Sequence, residues 1–149
     1  MRFLADSMLG RLAKWLRVMG YDTLYQSFYK EGIIGQLIHD RRRLLSRQKA
    51  ITEQYPNALL IHSYHVNEQL REMKQGGALT PDRSNWFSRC LNCNVRLKKA
   101  EADDVRENVP EYVIYENIAG IRFCPSCGRY FWQGSHRERM IRQLEEWGL

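Results

Sequence analysis

Two cysteine pairs constrain this chain more than any other feature. Cys90-Leu-Asn-Cys93 and Cys124-Pro-Ser-Cys127 share the CxxC spacing, with 30 residues between them. One CxxC turn can set two thiolates on a tetrahedral ion, and two such turns complete a four-sulfur zinc site. Four thiolates close the coordination shell, so a zinc ion held this way staples the fold and hydrolyses nothing. The gap between the pairs suits a ribbon with an inserted hairpin or loop. Two redox pairs, or unrelated buried thiols, are the other readings. A redox CxxC opens a helix in a thioredoxin-like unit. Here Cys90 follows a linker and CPSCG, from Cys124 to Gly128, has the form of a zinc knuckle. With four cysteines available, His136 reads as a helix-start or packing residue.

The first half of the chain alternates between strand and helix patterns. Arg2–Ala5 is too short for a helix and reads as a buried strand. Met8, Leu9, Leu12, Ala13, Leu16 and Met19 then recur at helical spacing, with Ser7 as the expected cap and Gly20 as the stop. YDTLY (Tyr21–Tyr25) is a second strand, and Ile33, Ile34, Leu37 and Ile38 mark a second helix. Arg43–Ser46 is a third strand, followed by a short helix from Lys49. Ala58–His62 is a fourth strand, and Val66, Leu70 and Met73 lie along a fourth helix. This order predicts an α/β domain with a mainly parallel sheet flanked by helices. In such sheets the site lies beyond the carboxyl ends of the strands. Asp6, directly after the first strand, falls at that edge. By position alone it reads equally well as a cap for the helix start or as a catalytic acid.

Gly76-Gly77 and TPDRSN (Thr80–Asn85) read as a linker, which divides the chain into an α/β domain, 1–79, and a zinc ribbon with a C-terminal helix, 80–149. That last helix is amphipathic, with Met140, Ile141, Leu144 and Trp147 on one face. No run of membrane length and no signal-peptide core is present, so the expectation is a soluble, cytoplasmic protein with no membrane partner. In that compartment four cysteines do not pair as disulfides. The net charge of +6 is unevenly spread: the first 50 residues carry +6 and the last 49 carry −3. Clustered positive charge favours a polyanion, although a merely basic, soluble surface has the same composition.

Three stretches carry a resemblance to a known family: FLADSMLGRLAKWLRVMGYDTLY (Phe3–Tyr25), FSRCLNCN (Phe87–Asn94) and FCPSCGRYFWQGSHRERM (Phe123–Met140). NEQLREM (Asn67–Met73) matches more weakly. Together, and in this order, they resemble the Mut-seven carboxy-terminal RNase family, a PIN-like domain followed by a zinc ribbon. The resemblance implies carboxylates clustered at the strand ends that hold one or two Mg²⁺ or Mn²⁺ ions for RNA cleavage. Hard cations take oxygen ligands, and the metals activate water and stabilise the leaving oxygen. Carried over residue by residue, Asp6 matches the first acid, and Glu31 falls where the second helix carries an Asp or Glu.

The chain also departs from that family. Its members typically end strand three with Thr-Arg-Asp, where this sequence has Ser46-Arg47-Gln48, and after strand four it has Ser63-Tyr64-His65 where further acids are often found. Asp40 precedes the third strand, at the other end of the sheet, and His65 is a softer candidate ligand for Mn²⁺.

Three readings follow. One is a metal-dependent ribonuclease with Asp6 and Glu31 as ligands and Arg47 or Lys14 near the phosphate. The second is an RNA-binding module that has lost its metal site, using Arg41, Arg42, Arg43, Arg47 and Lys49. The same basic run also fits a solvated helix end. The third is an adaptor for a protein partner, through Glu101-Ala-Asp-Asp104 and Tyr130-Phe131-Trp132. Those aromatics also suit the core of a small ribbon, and Trp132 or Trp86 could stack on a base. Nothing in the sequence fixes the oligomeric state.

Overall fold

The computed structural model describes residues 1–149 and divides them into two compact units, Met1–Asn94 and Val95–Leu149. The first unit runs β1 (Arg2–Ala5), α1 (Gly10–Val18), β2 (Asp22–Tyr25), α2 (Ile33–Ile38), β3 (Arg43–Ser46), α3 (Lys49–Thr52), β4 (Leu59–Leu60) and α4 (Val66–Gln75). Its sheet has the order β2-β1-β3-β4, and every pairing is parallel. β1 is internal, so its apolar run Phe3-Leu4-Ala5 is fully buried, as a strand covered on both faces requires. Leu12 and Leu16 of α1, Leu44 and Leu45 of β3, and Leu70 and Met73 of α4 complete this core. Burying each such large side chain contributes about 1.5–3 kcal/mol.

The first and third strands match the sequence expectation residue for residue. Two details differ. Ser7 is exposed and does not cap α1, which begins after Leu9 with no side-chain cap. The fourth strand is shorter than Ala58–His62. One ladder bond continues beyond it, from Ile61 N to the Ser46 carbonyl at 2.8 Å. Then Glu72 of α4 accepts hydrogen bonds from the backbone N–H groups of His62 and Ser63, which ends pairing. At the end of α1, Gly20 has φ +86, and a Cβ there would meet the Asn85 carbonyl oxygen at 2.3 Å, so the position requires glycine.

Residues 80–94 pack on this first unit. The Tyr21 hydroxyl donates to the Thr80 carbonyl at 2.8 Å, and Phe87 N donates to the Val18 carbonyl at 2.7 Å.

The second unit contains β5 (Lys98–Lys99), α5 (Ala102–Asn108), α6 (Glu111–Asn117), β6 (Arg122–Phe123), β7 (Tyr130–Phe131) and α7 (Ser135–Glu146). Its three short strands are antiparallel in the order β5-β6-β7. The insertion between the cysteine pairs is therefore helical, not the expected hairpin or loop. Val105, Val109 and Val113 recur every four residues and are buried with Ala100 and Ile121, while Pro110 separates the two helices. Phe123, Tyr130 and Trp132 pack against that cluster, which gives two of the three ribbon aromatics a structural role. α7 buries Met140 and Leu144, and His136 is exposed in its first turn. No helix is long and apolar enough to cross a membrane.

Candidate active edge and metal centre

Asp6 sits at the carboxyl end of β1, only 3% exposed. Its backbone N donates to the Leu45 carbonyl at 3.0 Å, which extends the ladder with β3 by one bond. Its carboxylate is held on both oxygens. Oδ1 accepts from Met8 N at 2.9 Å, an Asx-turn that shapes the approach to α1. Oδ2 accepts from the Ser46 hydroxyl and from Arg47 N, the latter at 3.3 Å. The Ser46 oxygen in turn accepts from Gln48 N at 3.0 Å. Asp6 thus shapes the turn before α1 without capping the helix, and stands at the strand-end position expected of a catalytic acid. An ionised carboxylate has about four acceptor sites. Three are used here, so the hydrogen bonds fix the carboxylate's orientation and leave about one acceptor site unused.

The other expected residues have diverse placements. Glu31 is exposed in the turn that leads into α2. Gln48 precedes α3, with its Nε2 3.9 Å from the Met8 sulfur. Lys14 is exposed on α1. Arg41, Arg42 and Arg43 stand at the amino end of β3, across the sheet from the edge that holds Asp6. Arg42 is buried, and its Nη1 lies 2.6 Å from Asp22 Oδ1 and 3.3 Å from the Phe3 carbonyl. Arg43 donates to the Asn57 carbonyl at 3.0 Å. Asp40 pairs with Arg2 at 3.0 Å, also at the amino end. Of the expected cations, Arg47 is the one whose backbone touches Asp6. Its guanidinium carbon lies 3.6 Å from the centroid of the Tyr64 ring.

Three residues at this edge escaped sequence reasoning. Ser46 was read only as the end of a strand, yet its hydroxyl is the group that fixes Asp6. The signal was present, because Ser keeps the hydroxyl of the family's Thr. Tyr29 donates from its hydroxyl to the Ala5 carbonyl at 2.7 Å and accepts from Gln26 N at 2.9 Å. Burial raises its pKa, and the neighbouring Asp6 charge adds to the rise. Glu72 receives both backbone N–H groups named above, the Ser63 hydroxyl at 3.2 Å and the His62 ring at 2.6 Å. Burial would raise its pKa, but these hydrogen bonds outweigh burial and lower it.

The cysteines form a second site of different chemistry. Sγ atoms of Cys90, Cys93, Cys124 and Cys127 all lie within 4.8 Å of one another. A tetrahedron with metal–sulfur bonds of about 2.3 Å has edges of about 3.8 Å. The donor set therefore fits a metal ion after a small contraction.

The two turns share one backbone plan. Asn94 N donates to the Cys90 carbonyl at 2.9 Å, and Gly128 N donates to the Cys124 carbonyl at 2.8 Å. In both turns the residue after the second cysteine is left-handed, Asn94 at φ +63 and Gly128 at φ +72. Gly and Asn are the residues that tolerate this conformation best.

The first turn is also tied to the sheet. Asn94 Oδ1 accepts from Thr23 N on the edge strand β2 at 2.9 Å, and its Nδ2 donates to Asp22 at 2.7 Å. Arg17 of α1 donates to the Thr23, Leu91 and Asn92 carbonyls at 2.8–2.9 Å. Burial lowers the Arg17 pKa, and the Cys90 and Cys93 charges oppose that shift. Asp22 is held down to about 2: burial pushes it up, but hydrogen bonds from Arg42 and Asn94 and the charges of Arg42 and Arg89 prevail.

The family model described as Mut7-C RNAse domain matches residues 1–144. Comparison with curated proteins and with solved structures returned no match.

Proposed function

We propose, because this chain belongs to the Mut7-C RNase domain family, that it binds RNA at the carboxyl edge of its parallel sheet and cleaves it with a divalent metal ion. One observation carries the reading: a buried carboxylate, Asp6, fixed by three hydrogen bonds at the end of the internal strand β1. Catalysis is assigned to residues 1–79, with Asp6 and Glu31 as the oxygen donors for Mg²⁺ or Mn²⁺. Such an ion, when bound, supplies an activated water and stabilises charge on the phosphate and the leaving oxygen. Asp6 contributes a preset ligand direction. Glu31, exposed, contributes a second negative charge. Arg47 is assigned to the RNA at the same edge, with Lys14, Arg41 and Arg43 as outlying phosphate contacts. Arg42 is already committed to Asp22. The four cysteines hold a structural Zn²⁺, the ion that four thiolates in tetrahedral arrangement favour.

A specific feature supports a second reading. Gln48 stands where an acid is expected, which removes one negative charge from the edge and weakens its hold on a cation. In that reading the domain binds RNA without cutting it. Incubating zinc-loaded protein with RNA, with and without Mn²⁺ or Mg²⁺, separates the two. The nuclease reading expects metal-dependent cleavage that Asp6→Asn abolishes. Intact RNA with either metal, despite binding, establishes the second reading instead.

A further inference from the structure

The pair formed by Arg47 and Tyr64 stands apart from the carboxylates proposed as metal ligands. Tyr64 lies just beyond β4 and is 78% exposed. One face carries the Arg47 guanidinium at 3.6 Å. Arg47 Nε is buried without a hydrogen-bond partner, so stacking on the ring orients this side chain.

Tyr64 also borders a cleft of about 200 Å³ whose lining includes Met8, Arg11, His65, Asn67 and Gln69. Two contacts link the cleft and the pair to the acid edge: Met8 N donates to Asp6 Oδ1 at 2.9 Å, and Arg47 N donates to Asp6 Oδ2 at 3.3 Å. An exposed aromatic ring, a cation stacked on it and a polar cleft with an exposed arginine form a set suited to a nucleotide. The ring takes the base by stacking, and Arg11 faces the phosphate by charge.

We propose that Tyr64, braced by Arg47, is a base-stacking platform that makes this edge selective for single-stranded RNA. This rests on the RNA reading above and adds its substrate form. A base can lie on Tyr64 only when it has left its own helix, so a paired strand cannot use the platform. Stacking is tolerant of base identity, so sequence preference at this position is weak.

Fluorescence anisotropy tests this on zinc-loaded protein with no other metal added, so that cleavage plays no part. The probes are a short labelled single-stranded RNA and the same RNA annealed to its complement. The wild type binds the single strand more tightly than the duplex. Tyr64→Ala weakens single-strand binding by roughly ten-fold or more, Tyr64→Trp retains it, and duplex binding is unchanged. Stacking releases no counterions, so Tyr64→Ala leaves the salt dependence of binding as it was, whereas Arg11→Ala makes it shallower. Single-strand binding that is equal in wild type and Tyr64→Ala overturns the platform and leaves the RNA reading intact. Wild-type protein that binds neither RNA overturns both.

Discussion

The acid edge and the cysteine cluster offer a metal opposite kinds of surroundings. The cluster has its complete ligand set, four soft donors within 4.8 Å of one another on two turns of the same backbone design. The edge has one deeply fixed carboxylate, Asp6, whose surroundings are hydrogen-bond donors, while Glu31, the second acid proposed for it, is exposed on a turn. A complete set of thiolates makes the ion part of the fold. A sparse set of oxygens leaves room for water and substrate, which chemistry requires but tight binding does not. Ions bound at the two places should therefore differ in affinity, and the consequences of losing them should differ in kind.

The largest effect is expected at the cluster. Binding of a structural zinc is folding free energy, of the order of 10 kcal/mol in small metal-stapled units. A strong chelator or Cys124→Ser should remove one zinc per chain and melt the ordered second unit, read by metal analysis and circular dichroism. Unaltered melting after complete metal loss would break the comparison at this end.

Next comes Asp6. Asp6→Ala leaves Met8 N, the Ser46 hydroxyl and Arg47 N without their acceptor, and should cost about 3 kcal/mol in denaturant unfolding. Asp6→Asn keeps the shape and one acceptor oxygen and should cost about 1 kcal/mol. If both variants unfold like the wild type, the hydrogen bonds around Asp6 do not matter to the fold.

The two knuckles are tested next. Asn94→Ala removes the partner of Thr23 N and of Asp22 and places alanine in a left-handed conformation, for about 2–3 kcal/mol in all. At Gly128 a Cβ meets nothing within 4 Å, and Asn tolerates the conformation, so Gly128→Asn should cost less than about 1 kcal/mol. Thermal melts of the zinc-loaded variants compare them directly, and equal losses would show that the sheet contact of the first knuckle is inert.

A pH-dependent effect, smaller than the loss expected for Asn94→Ala, belongs to the network behind the first knuckle. The folded-state pKa of Asp22 is depressed to about 2, so its contribution is present above the unfolded value of about 3.9 and disappears as pH falls through the folded value. The loss is about 2 kcal/mol between pH 4 and 2. Asp22→Asn should flatten that part of the pH–stability curve, and a curve identical to the wild type would contradict the assignment.

Much of this comparison was legible before any coordinates. Arg2–Ala5 and Arg43–Ser46 announce themselves because short apolar runs bounded by helical patterns have few other uses. The cysteines announce a metal because their spacing is local. What was hidden depends on distant contacts. Ser7 looked like a cap, but α1 starts after Leu9 with no side-chain cap, and the turn before it is shaped by the Asp6 side chain accepting from Met8 N. Arg41–Arg43 read as one basic run, yet burial gives Arg42 to Asp22. The helices between the knuckles follow a valine every fourth residue, a pattern too sparse to override the expectation of a hairpin or loop. The bond from Ser46 to Asp6 spans forty residues, so the hydroxyl at the end of β3 hints at it without naming its partner.

The central claim is that the chain carries a closed thiolate site and a separate, weaker hard-cation site built on Asp6. Titration of zinc-loaded protein with Mn²⁺, followed by the electron paramagnetic signal of the free ion, tests it most directly. The account predicts bound Mn²⁺ in the wild type, weaker binding in Glu31→Gln, and its loss in Asp6→Asn, with zinc content unchanged throughout. Mn²⁺ binding to Asp6→Asn as tight as to the wild type would contradict it.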